Sequence, residues 1–343
     1  MKAAVWNGEN RLDITEVPKP GAGEKEAVVR VMSAGLCATD IHVIQKKIII
    51  GSPPSILGHE ISGIVEEIGD GTANVKVGDR VVLDTAMGCG YCNYCKSGMD
   101  YLCCNGGEIG TSPHNGGYAE FIKAPAHLLH KISDAISFDE GGILESFVCP
   151  AGSIYRIGIR FGDTVLIQGA GPAGLAFLQT VKACGAGKVI ISGRREKRLE
   201  LARKYGADVV IDAAKEDVFE RVMSETNGQG VNISIEATGA KKCIEQSVSL
   251  AAKAGKVIIY SLTGIENCPP MDIQTIAIKQ LTICGAGGNS SAWEPVIKMA
   301  EKGIFSIKDM VTHTFPLSQI NQAIEQMNSA DAIKVVIHPN DEV

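Results

Sequence analysis

The chain has 343 residues, a length that favours two domains over a single hydrophobic core. Apolar residues make up 45%, charged residues 21%, and the formal net charge is −6, so the composition is globular and lacks the basic surface that nucleic acid requires. No stretch approaches the roughly 18 uninterrupted apolar residues of a membrane helix, and the N-terminus becomes polar too early for a secretory signal. We expect a cytoplasmic protein whose partner is neither nucleic acid nor a membrane.

The first part of the chain, from about residue 26 to 130, consists of short apolar runs separated by Gly, Pro and Asp. Runs such as AVVRVMSAG, ISGIVEEIG and RVVLD predict the strands of an irregular β domain. Within it, GLCATDIH (35–42) and GHE (58–60) contain Cys37, His59 and Glu60. A thiolate, an imidazole and a carboxylate form a mixed set that could bind zinc and leave it an open position. Taken singly, the Cys and the His have plainer explanations as core side chains.

Five of the eleven cysteines fall within GCGYCNYCKSGMDYLCC, residues 88–104. Because the cytoplasm keeps thiols reduced, such a cluster favours metal binding over disulfides. The spacing C-x2-C-x2-C-x7-C predicts a closed structural zinc site with the ligands Cys89, Cys92, Cys95 and Cys103, and it leaves Cys104 as a spare. An iron–sulfur cluster and unligated thiols are the alternatives, but the bacterial ferredoxin run brings its fourth Cys sooner and follows it with Pro.

Near residue 160 the pattern changes to short β-branched runs that alternate with helical stretches. The runs are TVLIQ (164–168), KVIIS (188–192), DVVID (208–212), VNISIE (231–236), KVIIY (256–260) and LTICG (281–285). They predict a doubly wound parallel sheet with both faces buried. GAGPAG follows TVLIQ and places Gly169, Gly171 and Gly174 in the GxGxxG spacing of a dinucleotide-binding turn. A glycine-rich turn that binds nothing is the alternative.

The residues after the second of these runs, SGRREKR, indicate which dinucleotide binds. An NAD site expects Asp or Glu about 20 residues beyond the glycines, but Gly193 stands there. Arg194, Arg195 and Arg198 follow, and a guanidinium can bind a 2′-phosphate through two parallel hydrogen bonds. The sequence therefore predicts NADP(H), with an exposed basic helix start as the alternative.

In this order, these motifs resemble those of the zinc-dependent medium-chain alcohol dehydrogenases, which include sorbitol, threonine and secondary-alcohol dehydrogenases. The resemblance covers essentially the whole chain and also rests on VGDRVV and GGYAEF. It implies an α/β fold with a GroES-like β catalytic domain at 1–152, to which 290–343 return, and a Rossmann dinucleotide-binding domain at 153–289. It also implies a homo-oligomer, either a dimer or a tetramer.

The resemblance implies two zinc ions per chain, one structural and one catalytic. The implied ligands of the catalytic zinc are Cys37, His59, Glu60 and Glu145. Glu145 falls where the family has a further ligand, so we expect it to exchange with the others or to contact the zinc-bound water. Cys149, four residues later, is a less favoured candidate.

Three further residues receive roles from the resemblance. Asp40 would orient the His59 ring, Thr39 would hydrogen-bond the reacting alcohol, and His42 would pass the alcohol proton to solvent. The implied reaction is hydride transfer between NADP(H) and a secondary alcohol or polyol, or the corresponding ketone.

Residues around the implied active site bear on the class of substrate. Polyol-oxidising members commonly have Pro after the Glu, whereas Ser146 follows Glu145. If Val43, Ile44 and the run 48–50 line the pocket, they favour a partly apolar secondary alcohol over a sugar alcohol; the alternative is that these residues pack the β domain. An NAD-dependent sorbitol- or threonine-type dehydrogenase is the alternative within the family. A non-catalytic nucleotide-binding sensor and a zinc-free quinone reductase are others, and both are disfavoured by the intact set Cys37, Thr39, His42, His59 and Glu60.

Overall fold

The computed structural model describes residues 1–48, 51–111, 113–262 and 269–340. The chain divides into two compact units, one formed by Met1–Val148 with Asn289–Val343 and the other by Cys149–Gly288. Among the described residues, no helix is both long and apolar enough to cross a lipid bilayer.

The first unit consists mainly of strands, whereas strands and helices alternate regularly in the second unit. The strands are β1 (Lys2–Trp6), β2 (Asp13–Glu16), β3 (Glu26–Gly35), β4 (Ser55–Ile56), β5 (Glu60–Ile68), β6 (Arg80–Leu83), β7 (Ala86–Met87), β8 (Gly107–Glu108), β9 (Phe121–Pro125), β10 (Leu129–Lys131), β11 (Thr164–Gln168), β12 (Lys188–Gly193), β13 (Val209–Asp212), β14 (Val231–Glu236), β15 (Ala251–Ile259), β16 (Thr282–Gly285), β17 (Val311–Pro316) and β18 (Lys334–His338). The helices are α1 (Ala38–Ile44), α2 (Asn93–Lys96), α3 (Phe138–Gly142), α4 (Glu145–Ile157), α5 (Pro172–Ala183), α6 (Glu196–Lys204), α7 (Val218–Glu225), α8 (Lys241–Leu250), α9 (Ile273–Lys279), α10 (Trp293–Glu301) and α11 (Ile320–Gln326).

The first unit is organised around a sheet with the strand order β10–β6–β5–β3–β18–β17, with β9 also paired to β3. A smaller sheet has the order β2–β1–β4. The last strand of the chain joins this unit, because β18 pairs antiparallel with β3 and places Val336 opposite Gly35. Apolar side chains of both sheets form one core. Burial of that core stabilises the unit by roughly 25 cal/mol per Å² of apolar surface.

The second unit is a parallel sheet with the order β13–β12–β11–β14–β15–β16. This is the doubly wound order in which the first strand lies at the centre. Its central strand explains the apolar runs, since Val165, Leu166 and Ile167 are all fully buried between helices. Each run predicted from the sequence forms a strand, and the predicted fold class is confirmed. β15 begins five residues before its predicted start, and a register shift between Val231 and Ile233 accommodates it.

Candidate functional site

The pairing of β3 with β5 brings the first set of candidate ligands together. The two strands are antiparallel, and Gly35 at the end of β3 lies opposite Glu60 at the start of β5. Cys37 follows β3 by two residues, and His59 immediately precedes β5. As a result, one ligand atom each from Cys37, His59 and Glu60 lies within 4.8 Å of the others.

The environment of Glu60 fits a bound cation. The side chain is fully buried, and its Oε1 accepts a hydrogen bond from the Nζ of Lys334 in a buried ion pair. Its Oε2 is buried as well and has no hydrogen-bond partner within the described residues. An unpartnered buried carboxylate oxygen is costly, and a zinc ion held by Cys37, His59 and this oxygen would satisfy it. The donor set therefore fits zinc.

Asp40 holds His59 in place from behind. Its Oδ1 lies 3.4 Å from the Nδ1 of His59 and accepts the backbone N–H of Gly58 at 3.3 Å. Its Oδ2 accepts the hydroxyl of Tyr118 at 2.7 Å and the backbone N–H of Cys37 at 3.2 Å. Because Nδ1 is engaged by the carboxylate, the other ring nitrogen, Nε2, is left to bind a metal.

The electrostatics of this cluster favour a positive charge. Burial lowers the pKa of His59, but the carboxylate of Asp40 and then the thiolate of Cys37 outweigh it and hold this pKa well above its ordinary value. Burial raises the pKa of Asp40, but the charge and hydrogen bond of His59, aided by the hydroxyl of Tyr118, bring it below its ordinary value. A divalent cation would supply the positive charge that these groups attract.

Two members of this cluster, Lys334 and Tyr118, were not predicted from the sequence. Burial lowers the pKa of Lys334, but Glu60 and Cys37 outweigh it and raise this pKa. Lys334 is the first residue of β18, 274 positions from Glu60. The sequence contained one sign of this ion pair, a lysine at the start of an apolar strand. A lysine that is buried in such a strand is almost always paired with an acidic group.

The remaining predicted residues lie in two places. Thr39 and His42 lie on α1, three residues apart and therefore on one helix face. Burial, followed by the charge of Lys47, lowers the pKa of His42. Glu145 is buried at the start of α4 and interacts electrostatically with Lys334. In the described chain, Glu145 is not part of the three-residue ligand group.

The apolar residues near His42 do not support the predicted pocket. Val43 and Ile44 are 3% and 2% exposed and belong to the hydrophobic core of the first unit. They project from the buried face of α1, so packing of the β domain accounts for them. Ile49 and Ile50 lie outside the described residues, and Ile48 packs partly buried against the same core.

The four predicted cysteines of the loop converge into a second group. The Sγ atoms of Cys89, Cys92, Cys95 and Cys103 all lie within 4.8 Å of one another. Individual separations are 3.5 Å, 3.8 Å and 4.0 Å. A tetrahedron with Zn–S bonds of about 2.3 Å requires sulfur atoms about 3.8 Å apart. The loop therefore has the size of a zinc site, and the exposed thiol of Cys104 lies outside it.

Backbone donors lower the pKa values of Cys89 and Cys92 in this loop, whereas desolvation raises the pKa of Cys95 to about 12. The backbone N–H of Tyr91 and that of Cys92 lower the pKa of Cys89 to about 6. The Cys92 N–H donates to the Sγ of Cys89 at 3.4 Å, and the Cys89 N–H donates to the Sγ of Cys103 at 3.3 Å. Thiolates are the form in which cysteine binds zinc.

In the second unit, the glycine turn has the geometry of a phosphate-binding turn. Gly169 has a φ of +109°, which favours glycine. A Cβ at Gly174 would collide with the carbonyl oxygen of Gly169, so only glycine allows α5 to pack this close to β11. Gly171 caps α5, whose first turn presents unpaired N–H groups to an anion.

A cavity of about 400 Å³ adjoins this turn and is lined by Gly169, Gly171, Gly193, Arg194, Arg195 and Arg198. Burial, followed by the charge of Arg195, lowers the pKa of Arg198 to about 10. An anion bound between these guanidinium groups would relieve their repulsion. A Cβ at Gly193 would lie 2.8 Å from the Cβ of Ala170. Packing therefore disfavours a carboxylate at the position where an NAD site expects one.

Two family models and individual dehydrogenases match the sequence of this chain. Residues 23–134 match the family model of the alcohol dehydrogenase GroES-like domain, and residues 172–302 match that of the zinc-binding dehydrogenases. The chain is 30% identical to the sorbitol dehydrogenase of Bacillus subtilis, over 99% of this chain and 98% of that protein. It is 35% identical to the L-threonine 3-dehydrogenase of Pyrococcus horikoshii, over 98% and 97%.

Solved structures share the whole architecture. A zinc-binding dehydrogenase of Sinorhizobium meliloti bound to NADP has a TM-score of 0.93 at 28% identity and covers 98% of this chain and 99% of its own. An alcohol dehydrogenase of Escherichia coli complexed with NADH has a TM-score of 0.90 at 28% identity, with the same coverage.

The family models and the solved structures confirm the predicted fold class, a GroES-like fold with a Rossmann sheet, and the relatives confirm the predicted class of enzyme. The relatives differ in substrate, and the solved structures differ in cofactor, so neither is fixed by membership alone. The chain belongs to the zinc-dependent medium-chain alcohol dehydrogenase family and is an oxidoreductase of alcohols.

Proposed function

We infer that this enzyme interconverts a secondary alcohol or polyol and the corresponding ketone with NADP(H) as cofactor. The observation that carries the proposal is the convergence of Cys37, His59 and Glu60, with the buried Oε2 of Glu60 lacking any other partner among the described residues. A sensor without turnover would have no need of such a site. A zinc-free reductase would leave that oxygen unsatisfied.

The proposal assigns different tasks to the two groups of ligands. Cys37, His59 and Glu60 would hold a catalytic zinc. Glu145, which is buried and lies within electrostatic range of Lys334, would act as an exchanging ligand. Zinc bound there supplies Lewis-acid chemistry that lowers the pKa of an alcohol, and the nicotinamide supplies the hydride acceptor. The structural zinc would be held by Cys89, Cys92, Cys95 and Cys103.

Thr39 and His42 provide a route for the proton. They share one face of α1, which begins immediately after Cys37. The hydroxyl of Thr39 can accept the alcohol proton and donate its own, as a relay requires. Because the pKa of His42 is lowered by burial, its imidazole is neutral near pH 7 and can accept that proton. Asp40 orients the ligand His59 and takes no part in the relay.

The arginine-lined cavity supports NADP(H) over NAD(H). The 2′-phosphate distinguishes the two cofactors, and Arg194, Arg195 and Arg198 line the pocket where the ribose of a bound dinucleotide is expected. Packing around Gly193 leaves no space for the carboxylate that would bind the free ribose hydroxyls. NAD(H) is the alternative, because a structure of similar fold is complexed with NADH.

Fluorescence titration of NADPH and NADH against Arg194→Gln tests this cofactor assignment. We expect the Kd of NADPH to rise about tenfold, since a hydrogen bond to a charged group is lost, while the Kd of NADH stays within twofold. Arg160→Gln is the matched control, because Arg160 is exposed and lies outside the cavity lining. Equal changes for both cofactors, or tighter binding of NADH by the unaltered protein, would overturn the assignment.

Turnover tests the proposal as a whole. Zinc-loaded protein is assayed at 340 nm with secondary alcohols and polyols, each with NADP and with NAD. We expect NADP-linked oxidation of members of this set. No turnover of any alcohol with either cofactor by zinc-loaded protein would contradict the proposed function.

A further inference from the structure

The carboxylate of Glu108 lies beside the candidate active site and has no task in the proposed mechanism. Glu108 is held by the pairing of β8 with β7, in which it lies opposite Ala86. The next residue, Ile109, is 1% exposed and donates its N–H to the carbonyl oxygen of Thr85 at 2.9 Å. The backbone on either side of Glu108 is therefore fixed, since Gly107 pairs with Met87 and Ile109 is hydrogen-bonded to Thr85.

The segment after Glu108 packs directly on the strand connection that contains His59. A Cβ at Gly110 would lie 2.7 Å from the carbonyl oxygen of Gly58, the residue before His59. Gly117 donates its N–H to the same oxygen at 2.8 Å. This packing brings Glu108 within electrostatic range of both His59 and Asp40, although it is not one of the grouped ligand residues.

Within residues 1–48, 51–111, 113–262 and 269–340, the Glu108 carboxylate forms no hydrogen bond or ion pair. It is half-buried, and burial raises its pKa, as do Asp40 and Asp84, while His59 opposes them. Its acidic neighbour Asp84 is satisfied, since it accepts the Ala86 N–H at 3.0 Å and the hydroxyl of Tyr101 at 3.3 Å. Glu108 is thus an acceptor that the protein leaves without a donor near the reaction centre.

We propose that Glu108 determines specificity by accepting a hydrogen bond from a second polar group of the substrate, a hydroxyl or an ammonium next to the reacting alcohol. This rests on the proposed function. A substrate with such a donor would pair directly with the half-buried carboxylate, whereas a simple alcohol offers it no donor, so the two kinds of substrate should differ in kcat/KM. An anionic group at the same position is repelled by the carboxylate. The substrate class is a vicinal diol, a polyol or a 2-amino alcohol.

The test compares 2-butanol, 2,3-butanediol and 3-amino-2-butanol as substrates of the zinc-loaded holoenzyme. The readout is the ratio of kcat/KM for each bifunctional alcohol to that for 2-butanol. We expect at least one of these ratios to exceed ten in the unaltered enzyme and to fall about 10- to 100-fold in Glu108→Leu. Glu24→Gln, a change at an exposed acidic residue, should leave both ratios as they are.

Glu108→Gln distinguishes the two kinds of donor, because the amide keeps an acceptor oxygen and loses the charge. A diol ratio retained in Glu108→Gln but lost in Glu108→Leu supports recognition of a hydroxyl. An amino-alcohol ratio lost in both supports recognition of an ammonium. Ratios in Glu108→Leu within twofold of those of the unaltered enzyme, with equal thermal stability and zinc content, would overturn the proposal.

Binding measurements keep this inference separate from the proposed function. If the unaltered protein oxidised no secondary alcohol or polyol with either cofactor, the proposed function would fail. Isothermal titration of the same three compounds into the zinc- and NADPH-loaded protein would then decide the role of Glu108. Tighter binding of a bifunctional alcohol than of 2-butanol, lost in Glu108→Leu, would support the role. Equal affinities in both proteins would refute it.

Discussion

The two candidate zinc sites of the first unit are built in opposite ways. The loop site uses four thiolates from fifteen consecutive residues, and its cysteines are only partly buried. The other site uses three different ligand types, joins Cys37 just before α1 to His59 and Glu60 at the start of β5, and buries His59 and Glu60 at 7% and 0% exposure. One site is complete in itself, while the other depends on the surrounding fold.

The difference between the two sites matches the two tasks that we propose for them, stabilisation of the fold and catalysis. Four thiolates close the coordination of zinc, so the loop site can only cross-link its chain. Three mixed ligands leave an open position, and the support from Asp40, Tyr118 and Lys334 fixes these ligands without filling that position. We therefore expect substitutions at the two sites to affect different observables.

The largest effect is expected for Cys37→Ser. Loss of a ligand from the catalytic site should lower kcat/KM by roughly a thousandfold or more, because a Lewis acid contributes several kcal/mol to the transition state. NADPH binding and the loop zinc should remain. Steady-state kinetics with metal analysis checks this, and Cys104→Ser is the control because its thiol is exposed and outside both groups. Retained turnover in Cys37→Ser would rule out the zinc mechanism.

Lys334→Met should cause the next largest effect, on stability. It leaves the Glu60 carboxylate buried without its cation, a change that costs about 3–5 kcal/mol and lowers Tm by roughly 6–20 °C. Bound zinc partly replaces the lost charge, so the decrease should be smaller in zinc-loaded than in chelator-treated protein. Thermal unfolding of both forms measures this.

Lys298→Met is the control for that change. Lys298 pairs with Glu294 at 3.9 Å on the surface, and such pairs contribute less than about 1 kcal/mol. Equal decreases in Tm for the Lys334 and Lys298 variants would show that the buried pair does not stabilise the site. Equal decreases in the Tm of the Lys334 variant with and without zinc would show that zinc does not replace the charge of Lys334.

Cys92→Ser tests the loop site, where we expect a loss of stability without a comparable loss of activity. Cys92 caps the N-terminus of α2, where its Sγ accepts the N–H of Cys95. Its loss should release the loop zinc and lower Tm by more than about 5 °C. The kcat of the protein that stays folded should change less than about threefold. A loss of activity as large as that of Cys37→Ser, at temperatures where the variant is folded, would assign the loop a direct part in catalysis.

The smallest effect is expected for His42→Gln. A lowered pKa keeps His42 neutral at pH 7, so alcohol oxidation by the unaltered enzyme should weaken only as the pH falls through this pKa, below the ordinary 6.5. The variant should lose about tenfold in kcat and lack that acidic limb. The pH dependence of kcat tests this. An unchanged acidic limb in the variant would show that another group accepts the proton.

The same contrast explains how much could be predicted from the sequence. The loop cysteines and the glycine turn are local, so spacing alone was enough to predict that Cys89 and its partners converge and that Gly169 and Gly174 form a tight turn. The support of the other site is not local, because Tyr118 is 78 and Lys334 is 274 residues from its partner. Strand register brings these groups together, and no periodicity in the sequence encodes it.

Two readings of single residues depended on packing in the same way. Val43 and Ile44 suggested an apolar pocket, but the orientation of α1 places them in the core. Gly193 suggested a missing carboxylate, and the structure adds a steric cause in Ala170. Residue types indicate which chemistry is possible, whereas only the fold shows which side chains lie in the site and which lie in the core.

Anomalous diffraction at the zinc edge, from crystals grown with zinc, tests the central claim most directly. We expect two peaks in the first unit, each at a bonding distance of about 2.0–2.3 Å from its ligand atoms. One peak should contact Cys37 Sγ, His59 Nε2 and Glu60 Oε2, and the other the sulfur atoms of Cys89, Cys92, Cys95 and Cys103. A single peak at the cysteine loop, with none between Cys37 and His59, would contradict the assignment of a catalytic zinc.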